Sequence, residues 1–337
     1  MALFGRRNIL LALLLLGAAA PFFVNSYQLF VANLIVVFVL LSIGLNILVG
    51  YAGQLAFANA AMFGIGAYGT GLLQVHFGLP FWMAFPLGAV IATSVGLAIS
   101  LPALRVSGLY LALSTLAFAE FTRWVFLHWE SVTFGAGGFK TPPVSFEPLP
   151  VSKPVGLYYL SLILATVLVV LAQNLVRSRI GRAFVAVRDG EVAAESLGID
   201  LLRYKALAFG ISGFYAGIAG GLYSAMLNYV SPEGYDLFQM VLHKAMIVVG
   251  GIASIGGSVL GAFAVVALLE GLREVKGVQE IAFGAILVVF ILFMPGGIAA
   301  FLRRKVRGWD EPVHRAGPPP NPDPAAAARP ASEAARP

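Results

Sequence analysis

The 337-residue chain contains no cysteine, so it holds no disulfide, thiolate nucleophile or cysteine-ligated metal. Charge is the next scarcity. Asp, Glu, Lys and Arg make up only 11% of the residues, and 59% are hydrophobic, against about 25% charged residues in a soluble domain. Their distribution is more decisive than the average. From Asn8 through Leu104 there is no charged residue at all, a run that crosses a bilayer about four times at roughly 20 residues per helix. The apolar runs are continuous rather than alternating, which argues against a β-barrel and for an all-α integral membrane protein. Histidine is sparse and scattered: the chain has only His76, His128, His243 and His314, so a metal site is not expected. HExxH, GxSxG and paired-carboxylate motifs are also missing, and no catalytic residue is assigned. The net charge of +6 does not indicate nucleic acid, because basic residues at membrane-facing ends account for it.

Polar and Pro/Gly breaks divide the apolar sequence into candidate spans near 8–24, 29–49, 54–76, 81–103, 108–128, 156–176, 206–228, 238–252, 258–272 and 279–301. The expected architecture is a polytopic bundle of about eight to ten transmembrane helices. Arg6-Arg7 followed by an apolar run resembles a signal peptide, but equally apolar spans follow at once, which favours a retained first span. With that start on the inside, inner segments hold Arg6, Arg7, Arg105, Arg177, Arg179, Arg182, Arg188, Arg203, Lys205, Arg303, Arg304, Lys305 and Arg307. Outer segments hold only Lys140, Lys153, Arg273 and Lys276. The asymmetry puts both termini and the 177–205 loop in the cytoplasm and the 128–155 loop outside. Residues 1–302 form one transmembrane domain. Residues 303–337, rich in Pro, Ala and Arg, lack the apolar periodicity needed to pack and read as a disordered tail.

The loop "RSRIGRAFVAVRDGEVAAESLGID" (177–200) is the longest stretch that looks like a soluble surface. Ile180, Phe184 and Val187 recur at i, i+4 and i+7, one helical stripe, which suits a helix lying in the inner headgroup layer. Asp189 is placed to N-cap a second short helix and Gly198 to close it. Such short helices need a partner surface.

Ionisable groups inside spans default to functional candidates. Glu120 and Arg123, three apart, can pair or line a path. Glu270 lies near the outer end of its span. Lys244 has three options: snorkelling outward, pairing with Asp236 or Glu270, or meeting a substrate carboxylate. Gln54 and Asn59 sit in the glycine-rich stretch "VGYAGQLAFANAAMFGIGAYGTG" (49–71). A second such stretch, "VVGGIASIGGSVLGAF", covers 248–263. Small residues permit close helix packing, and interrupted spans in both halves also mark substrate paths; both readings are open, as is whether these segments cross fully or re-enter.

Five blocks carry a resemblance: "GLNILVGYAGQLAFANAAMFGIGAY", "LYLALSTLAFAEFTRWV", "IGRAFVAVRDGEVAAESLGID", "YVSPEGYDL" and "VVGGIASIGGSVLGA". In order and spacing they resemble LivM-type permeases, membrane subunits of branched-chain amino acid ABC importers, over roughly residues 30–302. The resemblance implies three kinds of partner besides membrane lipid: a related LivH-type permease, two cytoplasmic ATP-binding subunits and an extracytoplasmic binding protein. It makes Arg188, Asp189, Glu191, Ala193, Ala194, Glu195 and Gly198 the coupling segment. ATP and Mg belong to the partners, and this chain binds no cofactor. Consistently, it has no P-loop: in "GAGGFKT" (135–141), Phe139 stands before Lys140 where the motif needs glycine. Urea or amide import by the same family, and an ion-coupled carrier using Glu120 and Glu270 as relay groups, remain as alternatives.

Overall fold

A computed structural model of the protein describes residues 17, 21, 23–103, 106–147, 152–273, 279–294 and 296–305. Nearly all of the first expected span (8–24) and of the tail (303–337) lies outside the described residues. The chain is a helical bundle. Its one piece of sheet among the described residues is a ribbon of two two-residue strands.

α1, Ser26–Asn46, opens with a capping box. The Asn25 side chain accepts from the Gln28 N–H at 2.8 Å, and the Gln28 side chain accepts from the Asn25 N–H at 3.2 Å. α1 runs into a single π-helical turn, Ile47–Tyr51. α2 spans Asn59–Phe77, α3 Phe81–Ala103 and α4 Gly108–His128. The segment after α4 forms short turns and β1, Phe139–Lys140. α5 is Lys153–Arg177, α6 Arg179–Asp189, α7 Glu191–Ser196 and α8 Leu201–Leu227. β2, Tyr229–Val230, pairs antiparallel with β1, Phe139 opposite Val230 and Lys140 opposite Tyr229. α9 covers Leu237–Gly250, α10 Ile255–Leu272, α11 Gln279–Phe293 and α12 Gly297–Lys305.

Six helical runs are long and apolar enough to cross a membrane: Ser26–Tyr51, Phe81–Pro102, Lys153–Arg177, Leu201–Leu227, Ile255–Leu272 and Glu280–Arg303. α2 and α4 reach span length with more polar residues. α9, with 14 residues, is only about 21 Å long at 1.5 Å per residue, short of a hydrocarbon core of about 30 Å. It therefore does not cross by itself.

α1 and α8 form the centre. In each, 72% of the apolar window is buried, against 39% for α3, α5 and α10. Small residues allow this density. A Cβ on Gly66 of α2 would lie 2.5 Å from the Gly217 Cα and carbonyl oxygen of α8. A Cβ on Gly261 of α10 would lie 1.9 Å from the Met246 carbonyl oxygen of α9. At these positions the glycine-rich stretches are helix–helix contacts.

The first glycine-rich stretch does not form a helix from 54. Residues 52–58 are non-helical and α2 begins at Asn59. Backbone polar groups inside a membrane protein must be satisfied by protein, and here distant side chains do so. The Thr115 hydroxyl accepts from the Phe57 N–H at 2.9 Å, and the Lys244 ammonium donates to the Ala56 carbonyl.

Candidate functional site

The 177–205 loop folds as two short helices pressed onto one end of the bundle. Ser178 caps α6, its hydroxyl accepting from the Ile180 N–H at 3.1 Å. The expected stripe is present: Phe184 and Val187 are buried and Ile180 packs on the core. The buried face is wider than the stripe, because Gly181, Ala183 and Val185 join it. That face meets α5, α8 and the π turn of α1, so the partner surface these short helices need is the protein itself.

Three attachments fix the pair. The Arg188 guanidinium donates to the Gly50 carbonyl at 3.1 Å and pairs with Asp189 at 2.9 Å. Gly53, at φ +68, lies so close that a Cβ there would be 2.5 Å from the Arg188 Cγ. Lys205 of α8, its side chain 3% exposed, pairs with Glu191 at 2.7 Å. The expected cap is corrected. Asp189 is the last residue of α6, and Gly190 stands at the N-cap of α7 with no side-chain bond. The reason is local: Arg188 holds the Asp189 carboxylate. Gly198 does close α7, at φ +82, with its N–H on the Glu195 carbonyl at 2.9 Å.

What α7 presents outward is apolar and acidic. Ala194 is buried, while Ala193, Glu195 and Gly198 are exposed. Val192 and Leu197 are 83% and 80% exposed. The rest of the chain thus leaves two large apolar side chains uncovered on this short helix.

Of the five path candidates, Gln54, Asn59 and Lys244 lie about the non-helical segment, and Glu120 and Glu270 lie on other helices. Gln54 is buried, with its side-chain amide on the Ala52 carbonyl at 3.0 Å. Asn59 is buried, and neither of its side-chain polar atoms has a partner among the described residues. Lys244 pairs with neither Asp236 nor Glu270 among the described residues. It bonds the Ala56 carbonyl and lies 4.4 Å from the centre of the Phe57 ring, because the non-helical segment supplies an acceptor nearer than any carboxylate. Asp236 instead caps α9, accepting from the Gln239 N–H at 3.0 Å. Glu120 pairs with Arg123 at 3.8 Å on a half-exposed face of α4. Glu270 pairs with Arg273 at 3.6 Å and accepts from the Tyr27 hydroxyl at the opposite end of the bundle from α6–α7. The decoy Lys140 is in β1, not in a phosphate-cradling loop. Among the described residues no three His, Asp or Glu side chains come together.

Two residues are missed by reading the sequence for motifs. Lys205 counts there only as a flanking charge. Asn46, fully buried, ties α1 to the turn between α9 and α10. Its amide donates to the Gly251 carbonyl at 3.3 Å, the Ser254 carbonyl at 3.0 Å and the Ser258 hydroxyl at 2.7 Å, and its oxygen accepts from the Ala253 N–H at 2.9 Å. Its position one turn before "GYAGQ" is the only sequence signal.

A core of spanning helices, with a braced helix pair at one end offering an apolar edge, defines an all-α polytopic membrane permease. The chain belongs to the branched-chain amino acid transport system permease component family, whose model matches residues 27–295. It is 30% identical to the high-affinity branched-chain amino acid transport system permease protein LivM of Salmonella typhimurium, over 88% of this chain and 76% of that protein. To LivM of Escherichia coli it is 31% identical over the same shares. It is also 32% identical to the autoinducer 2 import system permease protein LsrC of an Enterobacter species, over 57% of this chain and 54% of that one. No solved structure matches it.

Proposed function

We propose that the chain is one permease subunit of an ATP-driven importer that carries branched-chain, hydrophobic amino acids across the bacterial cytoplasmic membrane. It works beside a related LivH-type permease, with two ATP-binding subunits inside and a binding protein outside. Both termini and α6–α7 face the cytoplasm. The observation that carries the reading is the bracing of α7. Through Lys205 it is joined to α8, and through Arg188 the preceding helix is joined to the end of α1, the two most buried spans. A partner gripping Val192 and Leu197 thus moves the centre of the bundle. The π turn at Ile47–Tyr51, a device common where helices must adjust, lies where that motion arrives. Alternating access follows as the ATP-binding subunits close.

An ion-coupled carrier is supported less well. Glu120 and Glu270 each have an arginine three residues on and sit on separate helices, so they make no relay. Labelled leucine and labelled urea should be offered to the reconstituted importer and to this chain alone under an ion gradient. The reading expects ATP-dependent leucine uptake by the complex only. Uphill transport by the isolated chain, or uptake of urea without leucine, overturns it.

A further inference from the structure

At the end of the bundle opposite α6–α7, a cleft of about 220 Å³ lies among α1, α5 and the end of α8. Three apolar spans end at its rim. Ser26 and Lys153 each open one, and Asn228 follows Leu227, the last residue of the third. The rim therefore sits where hydrocarbon gives way to headgroups. Below it the walls are apolar: Leu29 and Phe30 of α1, Leu157 one turn below Lys153 on α5, and Met226 of α8. Ser26, Leu29, Phe30 and Asn33 recur at i, i+3, i+4 and i+7, so one stripe of α1 lines the cleft. At 1.5 Å per residue that wall runs about 10 Å inward. Asn33 lies at its deep end, with its side-chain oxygen shielded from the cleft. Phe30 is 37% exposed and Pro154 is exposed, so the cleft opens sideways out of the bundle.

The rim carries a cation without a counter-charge. The Lys153 ammonium donates to the Asn228 side-chain oxygen, but among the described residues no carboxylate lies within ion-pair reach of it. A small free anion would meet Lys153 and leave the slot beneath it uncovered. An uncharged chain would fill the slot and leave Lys153 as it is. Both demands are met by one molecule that is anionic at headgroup level and hydrocarbon below. A cavity of about 250 Å³ between α3 and α4 makes no such demand, because no ionisable group lines it. Its hydroxyls, Ser114 and Thr115, bond their own helix carbonyls at 2.8 Å.

We propose that the cleft is a seat for one anionic glycerophospholipid, with its phosphate on Lys153 and the start of one acyl chain against Leu29, Phe30, Leu157 and Met226. Basic pockets between spanning helices hold anionic headgroups in this way. The rest of the lipid leaves through the open side and joins the bilayer. Its seat joins the ends of α1, α5 and α8, and α1 and α8 are the two most buried spans. The site stands whichever solute the permease carries.

The test titrates the full chain in dodecyl maltoside with dioleoylphosphatidylglycerol, dioleoylphosphatidylcholine or inorganic phosphate. Native mass spectrometry counts bound lipid, and the thermal midpoint is followed in parallel. The wild type should hold one phosphatidylglycerol at least about tenfold more tightly than phosphatidylcholine, the scale of a hydrogen bond to a charged group. Its midpoint should rise with phosphatidylglycerol, because the lipid binds only the folded chain. Lys153→Met should bring phosphatidylglycerol to the level of phosphatidylcholine and abolish the rise. Lys153→Arg keeps the charge and should retain both, which separates lost charge from lost fold. Lys140→Met, at an exposed position in β1, should change neither. The proposal is overturned if the wild type holds both lipids equally, or if Lys153→Met keeps the preference. It is overturned too if Lys153→Arg or Lys140→Met loses as much as Lys153→Met. Inorganic phosphate that raises the midpoint as far as phosphatidylglycerol at equal concentration also overturns it, because the site then takes a free anion.

Discussion

The pair Lys205–Glu191 gives an asymmetric prediction. Lys205 is almost wholly buried, whereas the Glu191 side chain is 35% exposed, and the two meet at 2.7 Å. Removing one partner of a fully buried pair costs about 3–5 kcal/mol, because it leaves a charge buried alone. Glu191→Gln leaves Lys205 in that position. The new amide oxygen still accepts and water reaches its side, so the cost should fall to about 1.5–3 kcal/mol. Lys205→Met removes the buried ammonium and lets Glu191 turn to water, and its cost should be about 0–1.5 kcal/mol. The order, not the size, is the prediction: Glu191→Gln loosens α7 more than Lys205→Met, and the double variant returns towards Lys205→Met. Amide exchange at Ala194, Leu197, Gly198 and Ile199, the N–H groups bonded within α7 and its cap, reads this directly. A loss of about 2 kcal/mol speeds exchange roughly thirtyfold. Faster exchange in Lys205→Met than in Glu191→Gln, or no change in either, refutes the bracing argument.

Two further predictions concern the frame that carries the motion. Asn46→Leu removes a donor to three acceptors and strands the Ala253 N–H, a loss of about 2–4 kcal/mol; Asn46→Asp keeps the acceptor but sets a buried carboxyl against the Gly251 and Ser254 carbonyl oxygens, so it should lose at least as much, as read by thermal midpoint in detergent. Gly66→Val forces a side chain into the Gly217 backbone, costing about 1–3 kcal/mol or more; a broadened size-exclusion profile is expected, and an unchanged profile and midpoint count against the close α2–α8 contact.

Much of this was legible in the sequence because it is local. The span expected at 108–128 is α4, and the stripe of Ile180, Phe184 and Val187 faces inward on α6, since both follow from apolar spacing alone. The pairing of Glu120 with Arg123 is likewise a neighbour effect on one helix. What escaped is long-range. The non-helical stretch before Asn59 is held by Thr115 and Lys244, 58 and 188 residues from the groups they bond, and no window of sequence contains both ends. Lys205 looks like any basic flank until the fold buries it beside Glu191. Asp189 obeys the preference for a capping residue, yet a neighbouring arginine claims its carboxylate and Gly190 takes the cap.

The central claim is that the outward edge of α7 is gripped by a nucleotide-driven partner. The absence of cysteine makes one measurement clean: a single thiol at Leu197→Cys, cross-linked in the assembled importer and compared with Val288→Cys, an exposed position on α11. The account predicts an adduct between Leu197→Cys and an ATP-binding subunit, with a yield that changes on ATP binding, and none from Val288→Cys. An adduct absent at Leu197→Cys, or equal at both positions, contradicts it.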